Sequence, residues 1–477
     1  EESSLQPQAF LTFTIQQAML PTESGYTTSD VQLVGERIAA IAPQLEPQGT
    51  VIDARHHLLL PGFVNAHTHS SELWQRGAIP PYPLELWLAE LHEFSPPNPE
   101  QVYLSALGTA VETLLSGGTC LVDHLVLIPG QELETIAAAV QAYQDIGLRA
   151  VIGPLIQDQP LAASLPRGGV PRSLPPFPQS PEEILAMMQL AVEKFHAPSQ
   201  GLTLMVAPTG TQLCSEALFV GCMELSDRYH LCRHAHLLET KAQQMLAQEK
   251  YGVSAVQYLH HLGYLEPRTS LAHCVWLEAR DIEILAATGA TVVHNPLSNL
   301  RLGSGIAPIL KYRQAGVNIA YGCDGAASND AQDLLEVIKI GSLLHNTTDF
   351  DYRHWITPRQ ALAMASLGGA QGVQLADQIG SLTVGKQADL VLYDLTNLSL
   401  LPRTDPIGLL VLGRPTQVVT DVWVRGERVV AAGQPTRVDL AELRQRLWQE
   451  SAWVGDRHST ARAQLEPQYR RVMQLPD

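Results

Sequence analysis

From about residue 61 to residue 377 the chain alternates short apolar runs with segments of helical period, and this alternation restricts the fold more than any other feature. The strand-like runs are Thr119–Val122, Ala150–Gly153, Leu202–Val206, Thr269–Ala272, Thr291–Val293 and Asn318–Ala320. Among them lie Gln101–Leu115, Glu132–Ile146, Ala279–Ala287 and Leu334–Leu344, whose apolar residues recur every three or four positions. Such repetition is the pattern of parallel strands joined by crossover helices, most simply an α/β (β/α)8 TIM-like barrel. Short β-type runs replace it at both ends. They are Ala9–Ile15, Asp30–Leu33, Arg37–Ile41, Thr50–Asp53 and Leu58–Leu60, then Ser381–Thr383, Leu390–Asp394, Asp421–Val424 and Glu427–Ala431. β material flanking one α/β body predicts that the two chain ends build one small β-sandwich domain. The expected division is 1–60 and 378–439 for that domain, 61–377 for the barrel and 440–477 for a C-terminal helical extension. The Pro/Gly-rich stretch Pro160–Pro181 reads as a long surface loop, and loops of that length often serve as lids.

Polar residues of one chemical kind sit where these strands end. His67 and His69 follow Phe63–Ala66, and on extended backbone positions i and i+2 share a side. Alone, such a pair more often serves structure than coordination. However, His236 follows Leu231–Ala235, His273 follows Thr269–Ala272, and Asp324 follows the strand Asn318–Tyr321. In a barrel the C-terminal strand ends converge on one face, where reactive groups gather. A satisfied core histidine explains any one of these residues poorly once all are taken together.

The same residues carry a resemblance. Pro61-Gly62-Phe63-Val64-Asn65-Ala66-His67-Thr68-His69 is similar to the opening signature of the amidohydrolase superfamily. The likeness continues through His236-Leu237-Leu238-Glu239-Thr240, Ala272-His273-Cys274, His294-Asn295-Pro296-Leu297-Ser298-Asn299 and Gly322-Cys323-Asp324-Gly325-Ala326. It ends with Ile379-Gly380-Ser381-Leu382-Thr383-Val384-Gly385-Lys386-Gln387-Ala388-Asp389-Leu390, so it spans nearly the whole chain. The branch it resembles holds cytosine deaminase, guanine deaminase, the adenosine and S-adenosylhomocysteine deaminases and the s-triazine hydrolases.

The resemblance implies a divalent ion held by His67, His69, His236 and Asp324. Two-metal members bridge their ions through a carboxylated lysine at the fourth strand end. This chain has no lysine before Lys194, which lies in the helical segment Ile184–Phe195, so one ion is expected. Three imidazoles and a carboxylate suit zinc first and ferrous iron second. Such an ion lowers the pKa of a bound water to near neutrality. By resemblance Asp324 is also the base that takes the water's proton, His273 orients the resulting hydroxide, and Glu239 protonates a ring nitrogen of the substrate. The implied reaction is hydrolytic deamination of an aminated nitrogen heterocycle of pyrimidine, purine or triazine type. The alternatives are a hydrolase of the same design expelling an alkylamine or halide or opening a ring amide, and an inactive scaffold. The scaffold reading predicts eroded ligands, and all are present.

The substrate wall is less defined. After the H-x-H the chain reads Ser70-Ser71-Glu72-Leu73-Trp74-Gln75, unlike guanine deaminases. Trp87-Leu88 matches adenosine-type members, but the W-P-x-E element that follows there is replaced by Ala89-Glu90-Leu91-His92. Ala207-Pro208 is followed by Thr209 to Gln212 rather than by a histidine. Trp74, Gln75, Trp87 and Gln212 are the candidate wall residues, offering aromatic faces and amide groups to a flat heterocycle, with packing as the alternative for each. His294 is a further candidate, with a structural role as its alternative.

Composition narrows the partners. Of 477 residues 45% are hydrophobic and 17% charged, as in ordinary globular enzymes. Thirty-one basic against 48 acidic residues give a net charge of -17, which disfavours nucleic acid and anionic membranes. Cys120, Cys214, Cys222, Cys232, Cys274 and Cys323 form no C-x-x-C pair and read as reduced, buried thiols. No run approaches the roughly 20 apolar residues of a membrane helix, and Glu1-Glu2-Ser3-Ser4 opens no signal-peptide pattern. The expectation is a soluble cytoplasmic enzyme for a small molecule. The resemblance adds a homodimer.

Overall fold

The computed structural model describes residues 11–170, 173–451 and 459–476. Ala9 and Phe10 of the first expected strand, two residues of the long loop and 452–458 of the C-terminal segment lie outside the described residues. The chain begins with β1 (Thr12–Pro21), β2 (Tyr26–Val34), β3 (Arg37–Ala42), β4 (Thr50–Asp53) and β5 (His57–Pro61). Next come β6 (Phe63–Thr68), β7 (Gly118–Val126), β8 (Arg149–Ile156), β9 (Leu202–Leu204) and β10 (Ala207–Pro208). They are followed by β11 (Arg233–Leu237), β12 (Thr269–His273), β13 (Thr291–His294) and β14 (Ile319–Tyr321). The last are β15 (Leu390–Asp394), β16 (Val419–Val424), β17 (Glu427–Ala431) and β18 (Gln434–Pro435).

The strands β6 to β14 form two parallel runs, β10-β8-β7-β6 with β9 also on β8, and β11-β12-β13-β14. Backbone hydrogen bonds close them into a barrel. His234 N–H reaches the Val206 carbonyl at 2.9 Å on one seam, and Asp324 N–H reaches the His67 carbonyl at 2.9 Å on the other. β9 and β10 act as one interrupted strand. Because helices cover the outside and side chains fill the inside, strands such as β6 and β8 are buried along almost their whole length. That explains their continuous apolar runs.

The helices start and stop on local chemistry. In Pro99–Leu115, Asn98 accepts the Gln101 N–H while Gln101 returns a bond to the Asn98 backbone, with Pro99 at the first turn. Pro181–Phe195 opens on the same device with Ser180 and Glu183. Glu132–Ile146 ends on Gly147 at φ 81°, a left-handed cap that glycine adopts without steric cost.

The two chain ends share one sheet, ordered β18-β17-β16-β15-β5-β1-β2-β3 with β4 beside β1. Its central seam is the antiparallel pair β5–β15, where Leu60 faces Val391 and Leu59 faces Leu392. Ile15, Leu33, Leu59, Leu390, Leu392 and Trp423 fill its core. The expected strand Ser381–Thr383 is corrected. Gly380 and Gly385, both at positive φ, bracket a turn there, and Thr383 N–H bonds back to the Ser381 carbonyl. Barrel and sheet are riveted by Arg149 on β8, which donates to Asp389 at 3.0 and 2.9 Å with both residues buried.

Among its described residues the C-terminal segment has the helices Leu440–Glu450 and Thr460–Val472. The second packs on the helix Leu84–Leu91. Leu465 is buried with Leu86 and Ala89, Arg462 Nε donates to Glu90 at 2.6 Å, and Gln468 donates to the Pro166 carbonyl at 2.7 Å. Among the described residues no helix is long and apolar enough to cross a membrane.

Candidate active site

His67 lies near the end of β6, His69 follows that strand, His236 lies on β11, His273 closes β12, and Asp324 follows β14. The structure brings these side chains together. Asp324 Oδ1 lies 3.3 Å from Nε2 of His67 and 3.3 Å from Nε2 of His69. His236 Nε2 lies 3.2 Å from His69 Nε2. Ligand atoms of His67, His69 and Asp324 all fall within 4.8 Å of one another, as do those of His67, His236 and His273.

Whether these groups suit a cation is decided by what their other atoms do. His69 Nδ1 bonds the His124 carbonyl at 2.6 Å, and His236 Nδ1 bonds the Thr209 carbonyl at 2.8 Å. A carbonyl accepts only, so both Nδ1 atoms carry the proton and both Nε2 atoms present bare lone pairs. His67 Nδ1 is held by His234 at 2.9 Å, and its Nε2 is buried with no hydrogen-bond partner. Ligating histidines are anchored in this way. Burial pushes the His67 imidazole down to about 4 and His236 well below its ordinary value, which favours the neutral, ligating form. Burial alone would also lower His69, yet the charges of Glu72 and Asp324 hold it above its usual value. The same negative charge that favours a proton there favours a metal cation. Against the burial that would raise it, the neighbouring His67, His273 and His69 hold Asp324 well below the carboxylate range. The donor set therefore fits a divalent cation.

Two further groups flank the cluster. His273 Nδ1 bonds Asn299 Oδ1 at 2.9 Å, so its Nε2 faces Glu239 Oε2 at 3.4 Å and Asp324 Oδ2 at 3.7 Å. Glu239 is buried, accepts from Ser304 Oγ at 3.0 Å, and has its backbone N–H held by Gln243. Burial, with the Asp324 charge adding to it, raises the Glu239 carboxyl. A carboxyl that keeps its proton toward neutrality can donate it. His273 and Asp324 sit at φ 75° and 62°, where a non-glycine residue is strained by about 1–3 kcal/mol. Gly325 leaves beside them the space that the Glu72 carboxyl fills, since a Cβ there would lie 1.8 Å from Glu72 Oε2 and push that carboxyl aside.

These groups form the floor of a cavity of about 810 Å3 lined by His69, His236, Glu239, His273 and Asp324. Gln75, Trp87 and Gln212 line it, and so do Phe177, Pro178 and Gln179 of the long loop. The wall assignment is corrected at two residues outside the lining. Trp74 turns its indole N–H onto the Gln101 carbonyl at 2.9 Å and packs on the barrel core. His294 is fully buried, with Nε2 3.0 Å from Nε2 of His345.

Reading the sequence missed four participants. Glu72, Glu85, His124 and His234 are all buried at or beneath the site. A signal existed for two of them. His234 precedes His236 by two positions on one strand and so shares its side, and His124 stands late in the strand run that begins at Thr119. Glu72 and Glu85 lie on a short helical turn and a helix outside the barrel, where strand-end logic does not reach.

A profile described as Amidohydrolase family matches residues 58–429. A 5'-deoxyadenosine deaminase of Methanosarcina barkeri is 33% identical over 418 residues, 86% of this chain and 89% of that protein. An 8-oxoguanine deaminase of Pseudomonas aeruginosa is 32% identical over 431 residues, 89% of this chain and 93% of that protein. A crystal structure of an adenosine deaminase from Xanthomonas campestris with bound zinc is 26% identical, with a TM-score of 0.81, covering 92% of this chain and 97% of that one.

Proposed function

Because the chain belongs to the amidohydrolase family, we propose that it hydrolytically deaminates an aminated nitrogen heterocycle, using one zinc ion held by His67, His69, His236 and Asp324. One observation carries this reading: His67, His69 and His236 each have Nδ1 tied elsewhere, Nε2 of the first two lies 3.3 Å from Asp324 Oδ1 and Nε2 of the third lies 3.2 Å from that of His69, beside a Glu239 carboxyl that burial raises, in a ligand-sized cavity. When bound, the ion supplies a water acidic enough to be a nucleophile near neutral pH. Asp324 Oδ2 would accept a proton from the attacking water, and His273 Nε2, 3.7 Å from it, would orient that water toward the substrate. Glu239 donates its proton to the ring nitrogen next to the attacked carbon. The C–O bond forms, Asp324 passes its proton to the departing amine, the C–N bond breaks, and the hydroxyl proton of the adduct returns to Glu239, giving an oxo product and ammonia. The names of the relatives support a purine or nucleoside substrate, family resemblance supports a homodimer, composition supports a cytoplasmic location, and the strand–helix pattern supports the domain division 1–60, 61–377, 378–439 and 440–477.

The test is a panel of aminopurines, adenosine-type nucleosides and aminotriazines, the last also with chloro and alkylamino substituents, offered to zinc-loaded protein, with ammonia, chloride and alkylamine measured and metal counted per chain. Ammonia release at one zinc per chain is expected. Release of chloride or alkylamine without ammonia overturns the deaminase reading, and two tightly held ions overturn the single-ion one.

A further inference from the structure

The helix Leu84–Leu91 forms one side of the cavity and carries a carboxylate that the proposed reaction does not use. Glu85 is 2% exposed and lines the cavity. Its Oε1 accepts from Thr240 Oγ1 at 2.5 Å, while Oε2 receives no hydrogen bond from any other residue among those described. Buried polar atoms are almost always paired, because stripping water from an unpaired one costs about 1–3 kcal/mol, more when charged. An orphan in a cavity wall is where a ligand completes the pairing. Ser164 Oγ and Trp87 Nε1 are likewise buried, unpartnered and in the same wall. Opposite charge does not explain Glu85. The neighbouring charge that acts on it is that of Glu239, which is not a cation.

Size points the same way. A bare heterocycle docked on His273 and Glu239 occupies only part of a cavity of about 810 Å3, near the upper end of the range for small-molecule sites. The rest, walled by Leu88, Phe94, Phe177 and Met187, leaves room for a larger molecule bearing a polar group. We propose that Glu85 is a specificity residue, whose free carboxyl oxygen accepts a hydrogen bond from an O–H or N–H that the substrate carries away from its reacting carbon. This rests on the deaminase reading for the identity of the reacting end but not for the contact itself.

Two probe pairs distinguish the sources of that donor. Adenosine against 2',3'-dideoxyadenosine removes sugar O–H groups, and adenine against 9-methyladenine removes a ring N–H. Each compound is titrated calorimetrically into zinc-loaded wild type, Glu85→Gln and Glu85→Ala, and kcat/KM for ammonia release is measured in parallel. In one pair, wild type should favour the donor-bearing member by roughly tenfold or more, Glu85→Ala should lose that preference, and Glu85→Gln should keep part of it. If wild type shows no preference in either pair, or Glu85→Ala weakens both members equally as a residue acting only through Thr240 and Glu239 would, the proposal is overturned. Should Glu85→Ala not fold, wild type and Glu85→Gln decide alone. A binding preference without ammonia release sinks the deaminase reading and leaves Glu85 standing, and ammonia release without a preference does the reverse.

Discussion

His67 Nδ1 lies 2.9 Å from His234 Nε2 in the barrel interior, and both rings are fully excluded from solvent. His234 Nδ1 in turn meets Ser270 Oγ at 2.7 Å. If His67 offers a bare Nε2 to a cation, its Nδ1–H donates to His234 and the His234 Nδ1–H donates to Ser270. The relay thus fixes the tautomer and the aim of the His67 ring. His234→Ala should lower zinc affinity by about 10–100-fold, with circular dichroism unchanged. Chelator competition measures it, and wild-type affinity in the variant would show that the relay is packing only.

Glu239→Gln preserves shape and can still receive the Ser304 hydroxyl, but it has no acidic proton to give. The turnover number should fall by roughly 10²–10⁴ while zinc content stays at the wild-type level. A rate within a factor of a few would remove Glu239 from proton transfer.

Burial, reinforced by the Glu239 charge and opposed by the Thr240 hydrogen bond, pushes the Glu85 carboxyl from its ordinary 4.5 up to about 7. The folded state therefore holds this proton over a range in which the unfolded chain has released it. Stability from this group is complete below about pH 4.5 and is lost as pH rises through about 7, reaching an order of 3 kcal/mol. Glu85→Gln does not titrate. Its melting temperature relative to wild type should climb steadily between about pH 5 and pH 8, and a pH-independent difference would contradict the raised value.

Breaking the buried Arg149–Asp389 pair leaves a charge without a partner between barrel and sheet. Asp389→Ala should cost about 3–5 kcal/mol in urea unfolding, and Arg149→Leu with Asp389→Leu should recover much of it. A double variant as unstable as the single would mean that the pair contributes more than its own desolvation.

Much of this arrangement was legible before any coordinates. The barrel announced itself because each of its strands is buried on both faces, so apolar runs such as Ala150–Gly153 stand out from the amphipathic helices between them. Strand-end side chains followed from the same logic, since β6, β11, β12 and β14 all point their C-terminal ends one way. The cavity wall did not, because it is built from side chains on helices and loops whose direction depends on tertiary packing. Trp74 and Gln75 are adjacent in sequence, yet one caps the Gln101 carbonyl outside the cavity and the other lines it. Likewise Ser381–Thr383 has strand-forming residues but lies between two glycines at positive φ, and local backbone geometry prevailed over propensity.

The seam between β5 and β15 joins Leu58–Leu60 to partners more than 300 positions later in the chain. On the ribosome, the first strands emerge with that edge bare and its leucines facing water, and nothing made during the whole of the barrel can cover it. Until Leu390 appears this edge has no native partner, and fragments ending earlier should self-associate through it.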